Sequence, residues 1–592
     1  MSGSDGGTGL QQFWKRYAWL YVPGLLFLGL SSYFQVLSPR LLGQLIDELN
    51  VQADLIQMTQ VHKGLGALLL VALGGFVTRF TWRYFIMGNS RHLETALRRQ
   101  LFDHLQQLPM QFYQQRKTGD LLVYAINDIG AIRQTFGPGL ALSANTIVMS
   151  ILSISSMSSQ VHPRLTLFAL MPVPLIIVVI LWMGRQVRAR FRKVQEAFAA
   201  VSDRVQESIT GIEVIKAYGQ EDEEVERFEQ LNRRSRFSNI NMTKVSAAMG
   251  PVVTVLFGIS FSVSLIYGSQ LVLLQQLTLG EFVAFNGYLT LIINPVRSIA
   301  RIINVMQRGM ASLKRYQDIL SVKPDVHDLP DIKAADSWPE YMTGSLEVRD
   351  LTFIYPGETR PALRNINMSL QPGRMVGILG RTGSGKTTLA NLLQRLYELP
   401  EAAVLLDGQD VRQIPLAVLR RQIAYVPQDN FIFSTTLAEN IRFFDDRYTM
   451  DDIRQASRLA DLDTTVADFP DGYETKVGER GMTLSGGQRQ RLGLARALLR
   501  KAPFLVLDDA LSAVDTETER RILNQLRQEM GRRDAACLII ANRVSALQNC
   551  DEILVLSDGE VIERGRHETL LAGNGLYASI ASRQSEQTSG GR

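Results

Sequence analysis

Cysteine is nearly absent from this chain, whose 592 residues include only Cys537 and Cys550. Two cysteines exclude a disulfide framework, and neither lies in the Cys/His spacing of a metal site, so we expect a reducing compartment. A strong charge of one sign is lacking too. The formal net charge of +5 gives no reason to expect a nucleic-acid partner.

Long apolar runs are missing from the C-terminal half but frequent in the N-terminal half, although hydrophobic residues make up 46% of the whole. A chain of this length exceeds one domain. Six N-terminal segments are long enough to cross a hydrocarbon core about 30 Å thick. We place them near residues 17–37, 65–88, 137–158, 164–184, 251–271 and 282–306.

Polar residues interrupt two of these segments. Arg79 and Arg83 lie in the second, and Asn286 and Asn294 lie in the sixth. Such groups are costly at membrane depth unless they face a cavity or a partner. They could line a pathway, or the helices could continue past the membrane into the cytosol. For the two arginines we favour the second interpretation.

The distribution of basic residues predicts the orientation of the six segments in the membrane. They cluster after the second segment, with Arg91 and Arg98, and after the fourth, with Arg185 and Arg188, whereas residues 270–280 have almost none. The basic segments and both termini are therefore expected in the cytoplasm.

Both basic segments have helical periodicity, which favours long helices projecting inward. We expect their turning points at residues 118–128 and 210–220, where a glycine precedes a short amphipathic stretch.

A glycine-rich stretch dominates the C-terminal half. Residues 380–387 read GRTGSGKT, between an apolar run at 375–379 and leucines at helical spacing in 388–396. This strand–loop–helix context makes the pattern a P-loop, in which backbone N–H groups and the helix N-terminus face phosphate groups. Lys386 is expected to reach the β- and γ-phosphates, and Thr387 to bind Mg²⁺. The predicted nucleotide contacts here are Gly380, Arg381, Thr382, Gly383, Ser384, Gly385, Lys386, Thr387 and Thr388.

A second apolar strand, residues 504–509, ends in two carboxylates. A strand-end Asp beside a P-loop is the Walker B arrangement, so Asp508 is expected to hold Mg²⁺ directly or through water. Asp509 occupies the next position, which normally supplies the acid that polarises the attacking water.

The sequence LSGGQ at residues 484–488 opens a predicted helix that runs to residue 499. Ser485 and Gln488 fit a capping box. The same helix start could bind a second anion through its unpaired N–H groups, since Gly486 and Gly487 allow a close approach.

P-loop, LSGGQ and Walker B in this order resemble an ATP-binding cassette (ABC) protein, and the six spans ahead of one cassette resemble an exporter half-transporter. The resemblance covers nearly the whole chain. It implies an α-helical six-span transmembrane domain fused to an α/β P-loop nucleotide-binding domain. We expect a transmembrane domain at 1–320, a proline-containing linker at 321–340, the nucleotide-binding domain at 341–583 and a polar tail at 584–592.

The resemblance also implies roles for individual residues, with ATP and Mg²⁺ as cofactors. Tyr355 would stack on adenine, Gln428 would be the Q-loop glutamine, and Asp515 would belong to the D-loop. Thr387, Gln428 and Asp508 would hold the metal ion. The second anion, bound at LSGGQ, would be a partner's nucleotide. The residues in contact with it would be Ser485, Gly486, Gly487 and Gln488. Asp128 and Gly211 would lie in the two coupling helices, and residues 475–481 resemble the exporter segment that touches them.

Two positions depart from an active cassette. Asp509 stands where the family usually has Glu, and Asn542, within ANRVS at 541–545, stands where it has His. No histidine lies nearby, since the six are His62, His92, His104, His162, His327 and His567. The closest resemblance is therefore to the degenerate-site subunit of bacterial heterodimeric, multidrug-resistance-like exporters.

We accordingly expect ATP-driven export of hydrophobic or amphiphilic small molecules across the cytoplasmic membrane, with the cassette in the cytoplasm. The expected partner is a second half-transporter with intact Glu and His. A cavity lined by Phe285 and Asn286 would suit many amphiphiles. The alternative is a homodimeric exporter of lipid or peptide in which Asp509 serves as a weak base. The six spans argue against a soluble cassette ATPase acting on nucleic acid, and nothing speaks directly for an ATP-gated receptor or channel.

Overall fold

The computed structural model describes residues 13, 15–51, 58–329, 332, 335–478 and 484–589. Two compact units are present. One comprises the chain up to Gln106 together with Lys117–Val322, and the other comprises Gln107–Arg116 together with the chain from Lys323 onward.

The first unit is helical. Its helices are α1 (Tyr21–Val51), α2 (Met58–Leu105), α4 (Thr118–Val123), α5 (Ile129–Gln134), α6 (Leu140–Ser156), α7 (Pro163–Leu170), α8 (Val173–Thr210), α9 (Ile212–Tyr218), α10 (Glu221–Leu273) and α11 (Leu279–Leu320), while α3 (Met110–Gln114) belongs to the second unit. Wider π-helical turns at Tyr124–Asp128, Thr135–Gly139 and Met157–Val161 join α4 to α7. By length and composition, six helical stretches within the described residues can cross a membrane, and each contains one predicted segment.

Helices α1 and α11 meet closely where α11 begins. Thr278 and Glu281 form a capping box there, and Asp47 of α1 accepts hydrogen bonds of 2.6 Å from the Thr278 hydroxyl and from the Gly280 N–H. A Cβ atom on Gly280 would lie 1.9 Å from the carbonyl oxygen of Gly43. Only glycine permits this approach, so α11 is fixed to α1 at this end.

The second predicted turning point is confirmed and the first is wrong. Gly211 separates α8 from α9, and Gly219, at φ +61°, ends α9 before α10 begins. The first reversal lies at residues 106–117 instead. Asp128 is only 3% exposed and accepts hydrogen bonds from Ser312 (2.8 Å) and Arg315 (3.1 Å, from Nε). Helical periodicity continues through residues 118–128, so it could not distinguish a tip from a packed helix.

The second unit contains two sheets. The strands are β1 (Leu346–Phe353), β2 (Leu363–Leu370), β3 (Met375–Gly380), β4 (Val404–Leu406), β5 (Gln409–Asp410), β6 (Ile423–Val426), β7 (Phe504–Asp508), β8 (Ala536–Ala541), β9 (Glu552–Ser557) and β10 (Glu560–Gly565). An antiparallel sheet has the order β2-β1-β4-β5, and a larger sheet has the order β10-β9-β3-β8-β7-β6 with β10 antiparallel.

Helices cover these sheets. They are α12 (Lys386–Leu393), α13 (Leu416–Gln422), α14 (Leu437–Arg442), α15 (Met450–Leu459), α16 (Asp463–Ala467), α17 (Gly486–Leu499), α18 (Thr516–Arg533), α19 (His567–Ala572) and α20 (Leu576–Ser589). Strands β3, β7 and β8 are buried at every residue, as expected for parallel strands covered on both faces. Ligands bind such sheets at the carboxyl ends of the strands, and the predicted site lies there.

Candidate nucleotide site

The P-loop joins β3 to α12 through conformations that favour glycine. Gly383 and Gly385 have φ of +85° and +101°. A Cβ atom on Gly380 would lie 2.4 Å from the Ser384 hydroxyl oxygen and 2.5 Å from the Leu556 carbonyl oxygen. Two left-handed residues and one close approach shape the loop so that its N–H groups can converge on an anion.

Lys386 lies inside this loop. Its Nζ atom donates to the carbonyl oxygens of Gly380 (2.8 Å) and Arg381 (2.9 Å). Burial lowers the pKa of Lys386, and the negative charges of Asp508 and Asp509 oppose that shift. The buried hydroxyl of Ser384 has no hydrogen-bond partner. A buried ammonium and an unsatisfied hydroxyl beside a glycine loop fit phosphate oxygens.

Asp508, at the end of β7, is 2% exposed. Tyr425 donates a hydrogen bond to its Oδ2 atom (3.3 Å). Burial raises the pKa of Asp508, and the nearby hydroxyls of Thr387 and Tyr425 partly offset this. A carboxylate and a hydroxyl side by side suit Mg²⁺, which prefers oxygen ligands and arrives with nucleotide phosphates. The sequence analysis missed Tyr425, because its pairing with Val506 of β7 exists only in the folded sheet.

Asp509 has its backbone fixed in the left-handed region, at φ +49°. Its N–H donates to the Ile540 carbonyl (2.8 Å), and its carbonyl accepts from the Ser512 hydroxyl (3.0 Å). The Asn542 amide donates from Nδ2 to Asp509 Oδ2 at 3.2 Å. The two residues that depart from the active pattern therefore touch each other.

The LSGGQ segment begins α17 with the predicted capping box. Gln488 N–H donates to the Ser485 hydroxyl (3.2 Å), and Ser485 N–H donates to Gln488 Oε1 (2.8 Å). Gln490, which sequence analysis missed, accepts from Ala513 N–H (2.8 Å) and donates to the Ser512 hydroxyl (3.0 Å). The start of α17 is thereby tied to the segment that follows Asp509.

Gln428 lies beside the LSGGQ segment, and Asp515 lies at the start of α18. Gln428 lines a cavity of ≈ 370 Å³ together with Gly486, Arg489 and other residues, none of them from the P-loop. Asp515 caps α18 by accepting a hydrogen bond from Thr518 N–H (2.9 Å), which lowers the pKa of its carboxyl. Metal binding by Gln428 and nucleotide contact by Asp515 remain predictions.

Tyr355 belongs to an aromatic cluster. Its ring packs edge-on against Phe353 (centroids 5.1 Å apart) and Tyr397 (5.2 Å), and its hydroxyl donates to Thr388 Oγ1 (2.9 Å). Helix α3 adjoins this cluster, since Gln114 donates from Nε2 to the Tyr397 hydroxyl at 2.9 Å. Adenine stacking by Tyr355 stays a prediction.

The prediction that Phe285 lines a substrate cavity is wrong, whereas the same role for half-buried Asn286 stays a prediction. Phe285 is 0% exposed, and Asn286 accepts from the Ser264 hydroxyl at 3.1 Å, which joins α11 to α10. A cavity of ≈ 800 Å³ lies elsewhere between α8, α10 and α11. Its lining residues are Ile180, Met249, Gly250, Pro251, Val253, Thr254, Val255 and Arg297. Spacing alone could not show which face of α11 is packed.

Comparison with known proteins decides the family. Residues 22–296 match the family model of the ABC transporter transmembrane region, and residues 363–512 match that of the ABC transporter. A probable multidrug resistance ABC transporter ATP-binding/permease protein of Bacillus subtilis is 36% identical over 572 residues, 97% of this chain and 96% of the relative. The chain belongs to the ABC transporter family.

A second relative agrees with this assignment, and one solved structure has the same fold. The multidrug resistance-like ATP-binding protein MdlA of Escherichia coli is 35% identical over 568 residues, 96% of this chain and 94% of that protein. The structure of a bacterial Atm1-family ABC exporter with ATP bound has a TM-score of 0.78 at 24% identity, covering 95% of this chain and 99% of that one, which shows a shared fold.

As an ABC transporter, this chain combines a six-span transmembrane domain with an α/β nucleotide-binding domain. The cassette binds ATP, and the hydrolysis of ATP is coupled to transport. The protein is a multi-pass protein of the cytoplasmic membrane with the nucleotide-binding domain in the cytoplasm.

Proposed function

We propose that this ABC transporter exports hydrophobic or amphiphilic small molecules as one subunit of a heterodimer, and that its own ATP–Mg²⁺ site binds nucleotide but hydrolyses it slowly. The contact between Asn542 and Asp509 carries this proposal. A water-polarising carboxylate must lie within hydrogen-bond reach of the water. Asp is shorter than Glu by one methylene, about 1.5 Å.

The backbone of Asp509 cannot easily make up this difference. Hydrogen bonds to Ile540 and from Ser512 hold it on both sides of a left-handed residue. Asn542 already donates to one of the two carboxylate oxygens. A short carboxylate on an anchored backbone, with one oxygen engaged, is a poor base for an incoming water.

The two departures from the active pattern affect only one side of the cassette. LSGGQ is intact, and its helix start is ordered by the capping box and by Gln490. In head-to-tail pairing, this side would complete a partner's site. The proposed partner retains Glu and His, so that one site turns over while the other mainly binds ATP and stabilises the closed cassette pair.

The cavity between α8, α10 and α11 supports an amphiphilic substrate. Most of its lining is apolar, and its one cationic side chain, Arg297, donates to the Thr254 hydroxyl at 3.2 Å. Apolar surface with few polar groups is typical of small-molecule sites.

A homodimeric lipid exporter is the second candidate. An ATP-dependent lipid A-core flippase of Nitrosococcus oceani is 32% identical over 576 residues, 96% of this chain and 94% of that protein. In a homodimer, both sites would carry Asp509 and Asn542, and both would have to hydrolyse ATP with them.

Composition and turnover of the native complex test the proposal. A tag on this chain should retrieve from native membranes a second half-transporter with Glu and His at the two positions. The pair should hydrolyse ATP. Its turnover should largely survive Asp509→Asn and should stop when the partner's Glu is removed. Robust turnover by this chain alone, lost on Asp509→Asn, would show that the homodimer is correct.

A further inference from the structure

The segment that carries Asn542 is held from outside the nucleotide site. Gln584, on the C-terminal helix α20, donates from Nε2 to the Asn542 carbonyl at 2.9 Å. The same side-chain amide accepts at Oε1 from the Val544 N–H, also at 2.9 Å. One glutamine therefore satisfies two backbone groups on either side of Arg543, in the segment that follows β8.

Helix α20 is itself firmly attached. Glu563 of β10 accepts from the N–H groups of Leu576 and Tyr577 at the start of the helix. Tyr577 is 0% exposed, and Ile580 packs against the same core. Residues 577, 580 and 584 follow helical spacing, so Gln584 lies on the anchored face two turns further along.

A second contact holds the same segment from α18. Ser545 is 3.5 Å from the carboxylate of Glu519, a residue that is only 3% exposed. Asn542 at one end reaches Asp509, and Ser545 at the other end reaches Glu519. Gln584 supplies the two hydrogen bonds between them, which fix the backbone direction from which the Asn542 side chain projects.

We propose that Gln584 is a positioning residue for the ATP site, acting through Asn542. Helix α20 thereby sets the geometry of the Asn542–Asp509 contact. When Gln584 is removed, the segment gains freedom, Asn542 leaves Asp509 for part of the time, and bound nucleotide is released at a different rate. The inference rests on nucleotide binding at this site, and it does not require that the site hydrolyse ATP or that the partner differ.

Backbone hydrogen exchange in the full-length protein tests the first step. Gln584→Leu removes both hydrogen bonds at similar size, whereas Gln584→Glu keeps an acceptor for Val544 N–H but no donor for the Asn542 carbonyl. Exchange at residues 542–545 should accelerate by about tenfold in the Leu variant, the value of a lost hydrogen bond or two. The Glu variant should show a smaller acceleration, and Arg583→Gln, at the exposed neighbouring residue, should show none.

Unchanged exchange at residues 542–545 in Gln584→Leu would overturn the proposal. Faster exchange that extends into β8 in either variant would mean that the helix supports the fold in general, and that result would also overturn the proposal. Faster exchange confined to residues 542–545 in the Glu variant supports it.

Nucleotide release tests the second step. The dissociation rate of a fluorescent ATP analogue should change severalfold in Asn542→Ala, and in the same direction by no more than that in Gln584→Leu. The double variant should match Asn542→Ala alone, because Gln584 acts through that residue. Additive effects would overturn the proposal. Neither result depends on ATPase activity, so the heterodimer proposal can fail while this one stands, and the reverse.

Discussion

The side-chain amide of Asn542 donates to the Asp509 carboxylate at 3.2 Å. Each of the two residues departs from the sequence of an active cassette, and in the fold the two side chains are in direct contact. Asn can donate to a carboxylate or to a phosphate oxygen, yet its reach and geometry differ from those of imidazole. The structure therefore joins two substitutions that are 33 positions apart in sequence.

Lys386→Ala should weaken ATP binding at this chain's site by about ten- to a hundredfold, because a charge-assisted hydrogen bond contributes roughly 1.5–3 kcal/mol. Titration of the full-length protein with a fluorescent ATP analogue measures this. Lys501→Ala is the control, since the Lys501 ammonium lies 3.4 Å from Asp452 on the cassette surface. Equal ATP affinity in wild type and Lys386→Ala would contradict the assignment of the P-loop.

Gly486→Val should lower turnover of the assembled transporter by roughly tenfold to a hundredfold, as expected when backbone donors are kept from an anion. Even a Cβ atom at Gly486 would lie 3.3 Å from the Ala513 Cβ, so a branched side chain must displace that segment. Gly531→Val is the matched control, because nothing lies within 4 Å of its Cβ position. Wild-type turnover in Gly486→Val would show that LSGGQ does not serve a partner's nucleotide here.

Asp508→Asn should stabilise the protein at pH 7.5 while removing Mg²⁺-dependent ATP binding. Burial raises the pKa of Asp508 in the folded state, so the folded chain binds this proton more tightly than the unfolded chain does. Stability therefore falls as pH rises from about 3.9, the unfolded pKa, through the raised folded pKa. The amide avoids that loss, and we expect a rise in Tm of about 1–4 °C at pH 7.5 that shrinks towards pH 4.5.

Asp445→Asn provides a control of opposite sign. Arg447 lowers the pKa of Asp445 to about 2, so its contribution to stability is present at neutral pH and is lost as pH falls through that value. This substitution should slightly lower Tm at pH 7.5. A lower Tm for Asp508→Asn at the same pH would contradict the stated balance between burial and hydrogen bonding at Asp508.

Gln114→Leu should reduce stimulation of ATPase activity by transported compounds while leaving basal turnover of the assembled transporter within about twofold. Gln114 is the donor to the Tyr397 hydroxyl, and Tyr397 packs against Tyr355 beside the P-loop. A single neutral hydrogen bond contributes about 1 kcal/mol, enough for a severalfold change in coupling. Gln115→Leu, at an exposed neighbour, is the control, and equal stimulation in both variants would exclude this route.

The sequence predicted the six spans and the P-loop because these signals are local. Apolar length identifies a membrane helix, and the spacing of Gly380, Gly385 and Lys386 identifies a phosphate loop whatever the rest of the chain does. The capping box of Ser485 and Gln488 is equally local, and it is confirmed.

Contacts between distant segments could not be predicted. Gln584 reaches residues about 40 positions away, Tyr425 meets Asp508 through adjacent strands, and Gln490 meets Ala513 through the packing of α17. No single-sequence pattern carries such pairings. Phe285 was misassigned for the same reason, since which face of α11 is buried depends on its neighbours.

Restoration of the departing residues tests the central claim most directly. ATP hydrolysis by the full-length chain, purified alone in lipid nanodiscs, should be measured for wild type, Asp509→Asn, Asn542→His, Asp509→Glu and the double variant Asp509→Glu/Asn542→His. We predict slow turnover in wild type and at least about a tenfold increase in the double variant, since a positioned acid or base contributes roughly 10²–10⁴-fold. Fast wild-type hydrolysis that Asp509→Asn abolishes and the double variant does not increase would contradict the account.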